Sequence, residues 1–176
     1  MNNNNYLVTN EKERKRVFYS LIVFGIMIVF IGFLIVQNYF QLNILDFKSI
    51  RRSGGLIGQV AAYGFALAIS MYVVRRVAKL KFLKDFKKKI LIVAKLLREW
   101  HVPISIVACA IILLHAYIML SRGIFFSLRY MSGILALLIL VVQIISGIFR
   151  YKRLGVKFHM IVGILFIISM IIHILA

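Results

Sequence analysis

Five runs of the chain, 17–36, 56–74, 102–120, 130–149 and 158–175, contain no aspartate, glutamate, lysine or arginine. Each is built mainly from Ile, Leu, Val and Phe, and each approaches the roughly 20 residues an α-helix needs to cross the hydrocarbon core. Inside that core no water satisfies backbone N–H and C=O groups, so a spanning run of this kind must be helical. The pattern predicts an all-α integral membrane protein with five transmembrane helices. Composition agrees, because 62% of the 176 residues are hydrophobic, against about 45–50% in a soluble domain. Pro103, the single proline, falls in the first turn of the third run, where a missing N–H is harmless. The first run is too long for the apolar core of a secretory signal and no small-residue cleavage site follows it. It is expected to remain as a span, behind a polar N-terminal tail (1–16), with 17–176 forming one transmembrane domain.

The net charge of +18 raises nucleic acid as a partner, but the basic residues sit in short segments between apolar runs, where membrane proteins keep them, and that class is rejected. The same residues orient the chain. With the N-terminus inside, the inner segments carry 18 of the 23 lysines and arginines, and the outer ones carry Lys48, Arg51, Arg52, Arg122 and Arg129. The asymmetry predicts a cytoplasmic N-terminus and an extracytoplasmic C-terminus in the cell membrane. Runs three and five then point the same way. The lone cysteine, Cys109, lies in an apolar run and reads as a small buried residue.

The longest inner connection, 75–100, is rich in lysine and arginine, with Val77, Leu80, Leu83 and Phe86 recurring at three-residue steps. That spacing suggests an amphipathic helix in the interface with its lysines towards anionic headgroups. A solvated positive-inside loop and a docking surface for a cytoplasmic electron donor are the other two readings.

The chain has four histidines, His101 and His115 on run three, His159 and His173 on run five, and each pair is separated by 14 residues. Fourteen helical steps fall about 40° short of four full turns and advance ~21 Å, so each pair lies on one helix face, nearly a hydrocarbon thickness apart. Between two parallel helices these side chains form two cross-helix pairs, His101 with His159 and His115 with His173, at two depths. Neutral imidazole suits both axial positions of a haem iron, so the pattern predicts two six-coordinate haem groups stacked across the bilayer. Ionisable groups inside bilayers are rare and usually functional. Packing residues or helix-end anchors explain His101 and His159 alone, but not a repeated spacing on two runs. A direct metal site is the rival, and it lacks nearby ligands to complete a coordination shell.

Weaker features accompany the histidines. Gly133 and Gly147 on run four are also 14 apart, and a glycine lets a flat ring approach the backbone; ordinary small-residue helix packing is the equal alternative. Phe166 lies seven residues from both His159 and His173, opposite the small Ala108. It is a candidate aromatic between the haems, with plain core packing as the other reading. Arg98, Arg122, Arg129 and Arg150 lie near the haem depths, where propionates would pair with arginine.

The two histidine pairs, the basic inner loop and the fifth run in RYKRLGVKFHMIVGILFIISMIIH (150–173) resemble the ferric reductase-like transmembrane domain of NADPH oxidases, ferric reductases and a bacterial haem membrane subunit of methionine sulfoxide repair. The likeness covers Arg98 to His173. It implies a di-haem cytochrome b that moves electrons from a cytoplasmic-side donor or quinol to an extracytoplasmic acceptor, as an oxidoreductase component, with 75–100 facing a flavoprotein. Cytochrome b of quinol-oxidising complexes shares the two histidine pairs and glycines in the intervening helix, but its P-E-W-Y motif is missing here. The family's sixth helix has no counterpart after His173, and the sequence holds no G-x-G-x-x-G for a nicotinamide or flavin nucleotide. Flavin is therefore expected on a partner. The alternatives are a haem-bearing anchor subunit of a larger oxidoreductase complex and, from another class, a transporter or structural membrane protein.

Overall fold

The computed structural model describes residues 10–176 apart from 43, 81–84, 124 and 152–154. Five helices follow one another: α1 (Glu11–Tyr39), α2 (Phe47–Val77), α3 (Lys87–Leu120), α4 (Leu128–Tyr151) and α5 (Val156–Leu175). Each is long and apolar enough to cross a membrane, each contains one of the predicted runs, and no strand occurs among the described residues. The chain is a multi-pass helical membrane protein.

The helices outrun their apolar cores because the start signals lie in the polar connections. The side chains of Asn10 and Asp46 accept the backbone N–H groups of Lys12 and Lys48, both at 3.0 Å, and cap α1 and α2. The N-terminal tail accordingly ends early: Glu11 to Arg16 form the opening turns of α1, with a Lys15–Glu11 ion pair at 2.9 Å. α3 starts at Lys87 because the stretch KKKILIVAKLLREW is made of good helix formers. This corrects the placement of Pro103. It lies in the interior of α3 and not in a first turn, so the carbonyl of Glu99 loses its usual i+4 donor. The basic connection 75–100 is likewise divided. Arg75 to Val77 close α2 and Lys87 to Trp100 open α3, while Leu83 and its neighbours 81–84 lie outside the described residues.

Two compact units divide the chain. In the first, Asn10–Arg122, α3 packs against both other helices. Its contacts with α2 run antiparallel, from His101 against Ala68 to His115 against Gly54. α2 turns a face of small residues to it, Gly54, Gly58, Ala61, Gly64 and Ala68, and a Cβ added at Gly64 would stand 3.0 Å from the Cβ of Ala108. In a bilayer, where lipid is as apolar as leucine, close backbone approach of this kind is what drives helices together. α1 runs parallel to α3 in constant register: Arg16 donates to Glu99 at 3.0 Å, and Tyr117 donates its hydroxyl to the Leu34 carbonyl at 3.0 Å. Leu34, Leu114 and Ile118 form the buried cluster between them.

In the second unit, Gly123–Ala176, α4 and α5 form an antiparallel hairpin. Ser132, Ala136, Leu140 and Ser146 make the buried face of α4, and Val162, Phe166 and Ser169 that of α5. The outer surfaces of both units are apolar, as Val29 (74% exposed), Leu138 (60%) and Leu67 (54%) illustrate. An apolar exterior of this extent belongs in lipid.

Candidate functional site

Each of the four histidines lies partly buried on the face of α3 or α5 that meets its hairpin partner. In the first unit, the Nδ1 of His101 stands 2.7 Å from the Ala68 carbonyl and the Nδ1 of His115 stands 2.8 Å from the Gly54 carbonyl. A carbonyl only accepts, so both rings carry their proton on Nδ1 and the lone pair on Nε2. In the second unit, the Nδ1 of His173 stands 2.9 Å from the Arg129 carbonyl, which fixes the same tautomer.

His159 is held differently. Its Nδ1 lies 2.9 Å from the hydroxyl of Ser146, and that hydroxyl donates its own proton to the Gln143 carbonyl at 2.8 Å. With its proton committed, Ser146 Oγ accepts from Nδ1–H, and the lone pair again falls on Nε2. All four rings therefore adopt one tautomer by two different devices. Anchoring Nδ1 to an acceptor is how proteins orient imidazoles that ligate iron or zinc through Nε2.

The two hairpins use the same local pattern. On α2, four residues beyond the contacted carbonyl of Gly54, Gly58 faces the His115 ring, where an added Cβ would lie 2.7 Å from Cε1. On α4, four residues beyond Arg129, Gly133 faces the His173 ring, where an added Cβ would lie 2.8 Å from Cε1. Gly147 faces His159 with more room, at 3.4 Å. Gly133 and Gly147 thus each admit the imidazole of α5 against the backbone of α4. Phe166 is buried midway between His159 and His173, on the stripe His159, Val162, Phe166, Ser169, His173. Ala108, its small counterpart in sequence, is buried in the other unit against Gly64 of α2.

The acceptors were missing from the sequence reading. Gly54 and Ala68 on α2 are 14 apart, whereas Arg129 and Ser146 on α4 are 17 apart. Only the α2 pair repeats the histidine period. Gln143, one turn before Gly147, left no comparable trace. Of the arginines expected near the haem depths, Arg122 donates to the Arg51 carbonyl. Among the described residues no three or more His, Cys, Asp or Glu side chains are grouped to hold a metal ion.

Fold and site together define a helical membrane protein with four oriented imidazoles on two of its candidate spans. No family model matches the chain, and neither does any curated protein or solved structure.

Proposed function

We propose that the chain is a membrane cytochrome that binds two b-type haems and carries electrons between the two faces of the cell membrane. The observation that carries this reading is the common state of the four histidines: two on α3 and two on α5, each pair 14 residues apart, every Nδ1 held by an acceptor and every Nε2 bearing the lone pair. The donor set fits haem iron, which takes two neutral imidazoles. The glycine cradles fit as well, since Gly58 and Gly133 leave room for rings that any side chain would displace.

In this reading His101 and His159 would hold the haem nearer the cytoplasm, and His115 and His173 the outer one. The pairing rests on the alternation of five spans, which sends α3 and α5 in the same direction. One-electron exchange between ferric and ferrous iron is the chemistry haem supplies when bound. The chain's own groups orient the ligands: the carbonyls of Gly54, Ala68 and Arg129 and the hydroxyl of Ser146 set ring angle and tautomer. Phe166, buried between the two ligand levels of α5, would keep water from between haems held at those levels, and Gly133 and Gly147 let α4 approach α5 closely. The charge asymmetry supports an N-terminus in the cytoplasm, and on that reading the basic connection 75–100 would serve a cytoplasmic-side donor or quinol, with a flavoprotein as the partner type. An extracytoplasmic acceptor completes the path, as in ferric reductase-like proteins.

The test is a reduced-minus-oxidised spectrum and pyridine haemochrome analysis of the purified protein. Two protohaems per chain with low-spin features are expected. Fully loaded protein with less than one haem per chain would sink the proposal.

A further inference from the structure

Gln143 is a polar side chain in the middle of an apolar helix, and its amide is aimed at the nitrogen of His159 that would hold iron. Its Nε2 lies 3.3 Å from Nε2 of His159. Because Ser146 fixes the proton of His159 on Nδ1, the facing Nε2 is an acceptor, so the amide must present N–H and not oxygen. Its oxygen is left behind: Gln143 Oε1 is buried and meets no donor among the described residues. A buried polar atom without a partner is costly, and a glutamine that served only to fill space would lose nothing by being leucine.

The amide also has a seat. Across the hairpin, Gly163 of α5 faces it, and a Cβ there would stand 3.0 Å from Gln143 Nε2. Gly163 and Gly147 are thus both absent-side-chain positions around one cluster, the first making room for the amide and the second for the His159 ring.

We propose that Gln143 competes with iron for Nε2 of His159, so that the haem ligated by His159 is held less tightly than the imidazole alone allows. The proposal rests on the cytochrome reading above. Before His159 can ligate, the amide must release Nε2, and the affinity for haem falls by the fraction of time the amide holds it. The chain thereby carries its own competitor for one ligand position.

The experiment compares equilibrium haem affinity of the protein in nanodiscs, by competition with graded apomyoglobin, in wild type, Gln143→Leu and Gly163→Ala. Leucine keeps the volume and removes the N–H, while the alanine methyl pushes the amide away. Both variants are expected to bind one haem of the two about 5- to 10-fold more tightly, the worth of one hydrogen bond. A second measurement uses haem-free protein: the ¹⁵N resonance of unprotonated His159 Nε2 should move downfield in both variants as it loses its donor. Unchanged or weaker haem affinity in a protein that binds two haems, or an unmoved Nε2 resonance, overturns the proposal and leaves the cytochrome reading standing. A protein that takes up no haem ends both.

Discussion

The Nδ1 of His115 stands 2.8 Å from the carbonyl oxygen of Gly54, on the helix that precedes its own. The contact needs the ring to lie almost against the α2 backbone, and Gly58, one turn further on, is what permits it. The two hairpins solve this problem alike, and the predictions below follow from that arrangement.

Gly58→Ala and Gly133→Ala should each cost most of one haem, because the new methyl would lie 2.7 Å and 2.8 Å from the Cε1 atoms of His115 and His173. Gly147→Ala, with 3.4 Å to His159, should keep nearly full occupancy. Haem per chain by pyridine haemochrome orders the three, and equal losses in all three would show that the glycines act by some route other than ring clearance.

His101→Ala and His159→Ala should remove the same redox transition, and His115→Ala and His173→Ala the other. Potentiometric titration of the α-band reads this directly. If His101→Ala and His115→Ala abolished one transition while His159→Ala left it intact, the parallel pairing of α3 with α5 would be wrong.

Ser146→Ala removes the acceptor of His159 Nδ1–H. The cost in stability should be small, about 0.6 kcal/mol and at most ~1.7 kcal/mol for a hydrogen bond inside a membrane protein. The electronic effect should be larger than the structural one, since a ligand whose Nδ1–H has no acceptor is a poorer electron donor to iron. The midpoint potential of one haem should rise, with Ser146→Thr restoring it. A potential that does not move in the alanine variant would remove Ser146 from the site.

Glu99→Gln should weaken the join between α1 and α3. Glu99 pairs with Arg16 at 3.0 Å, and both side chains are about 70% covered, being 28% and 30% exposed. The Arg16 guanidinium also lies over the Trp100 ring, 4.8 Å from its centroid. A loss of about 1 kcal/mol is expected, shrinking as salt is added. Thermal unfolding in detergent at two ionic strengths measures it, and a salt-independent loss would mean that the charge pair is not the cause.

A reporter fused after Ala176 should be active only outside the cytoplasm, given 18 of 23 cationic residues in the segments assigned inside. Cytoplasmic activity alone would invert the topology.

The spans were legible because a run without charge, about 20 residues long, has one fate in a bilayer. Their ends were not, since Asn10, Asp46 and the Lys87–Trp100 stretch are polar residues whose helicity comes from capping and propensity, which hydropathy does not register. Pro103 was misplaced for that reason. The histidine faces were legible from a spacing alone. What the spacing could not reveal was the other side of each contact, because the acceptors at Gly54, Ala68 and Arg129 are backbone carbonyls, which every residue has. Only Ser146 announces itself by side-chain type, and Gln143 matters solely through where α4 lies against α5.

The constant register of α1 on α3 has a consequence for biogenesis. Arg16 meets Glu99 and Leu34 meets Tyr117 across the same interval of 83 residues. At bacterial or eukaryotic synthesis speeds of roughly 5–20 residues per second, α1 waits on the order of ten seconds for its partner to emerge. During that interval α2 must already have returned across the bilayer, and the Arg16 charge stays in the headgroup layer without its carboxylate. The register of α1 in this protein is thus fixed only when the third helix has been made.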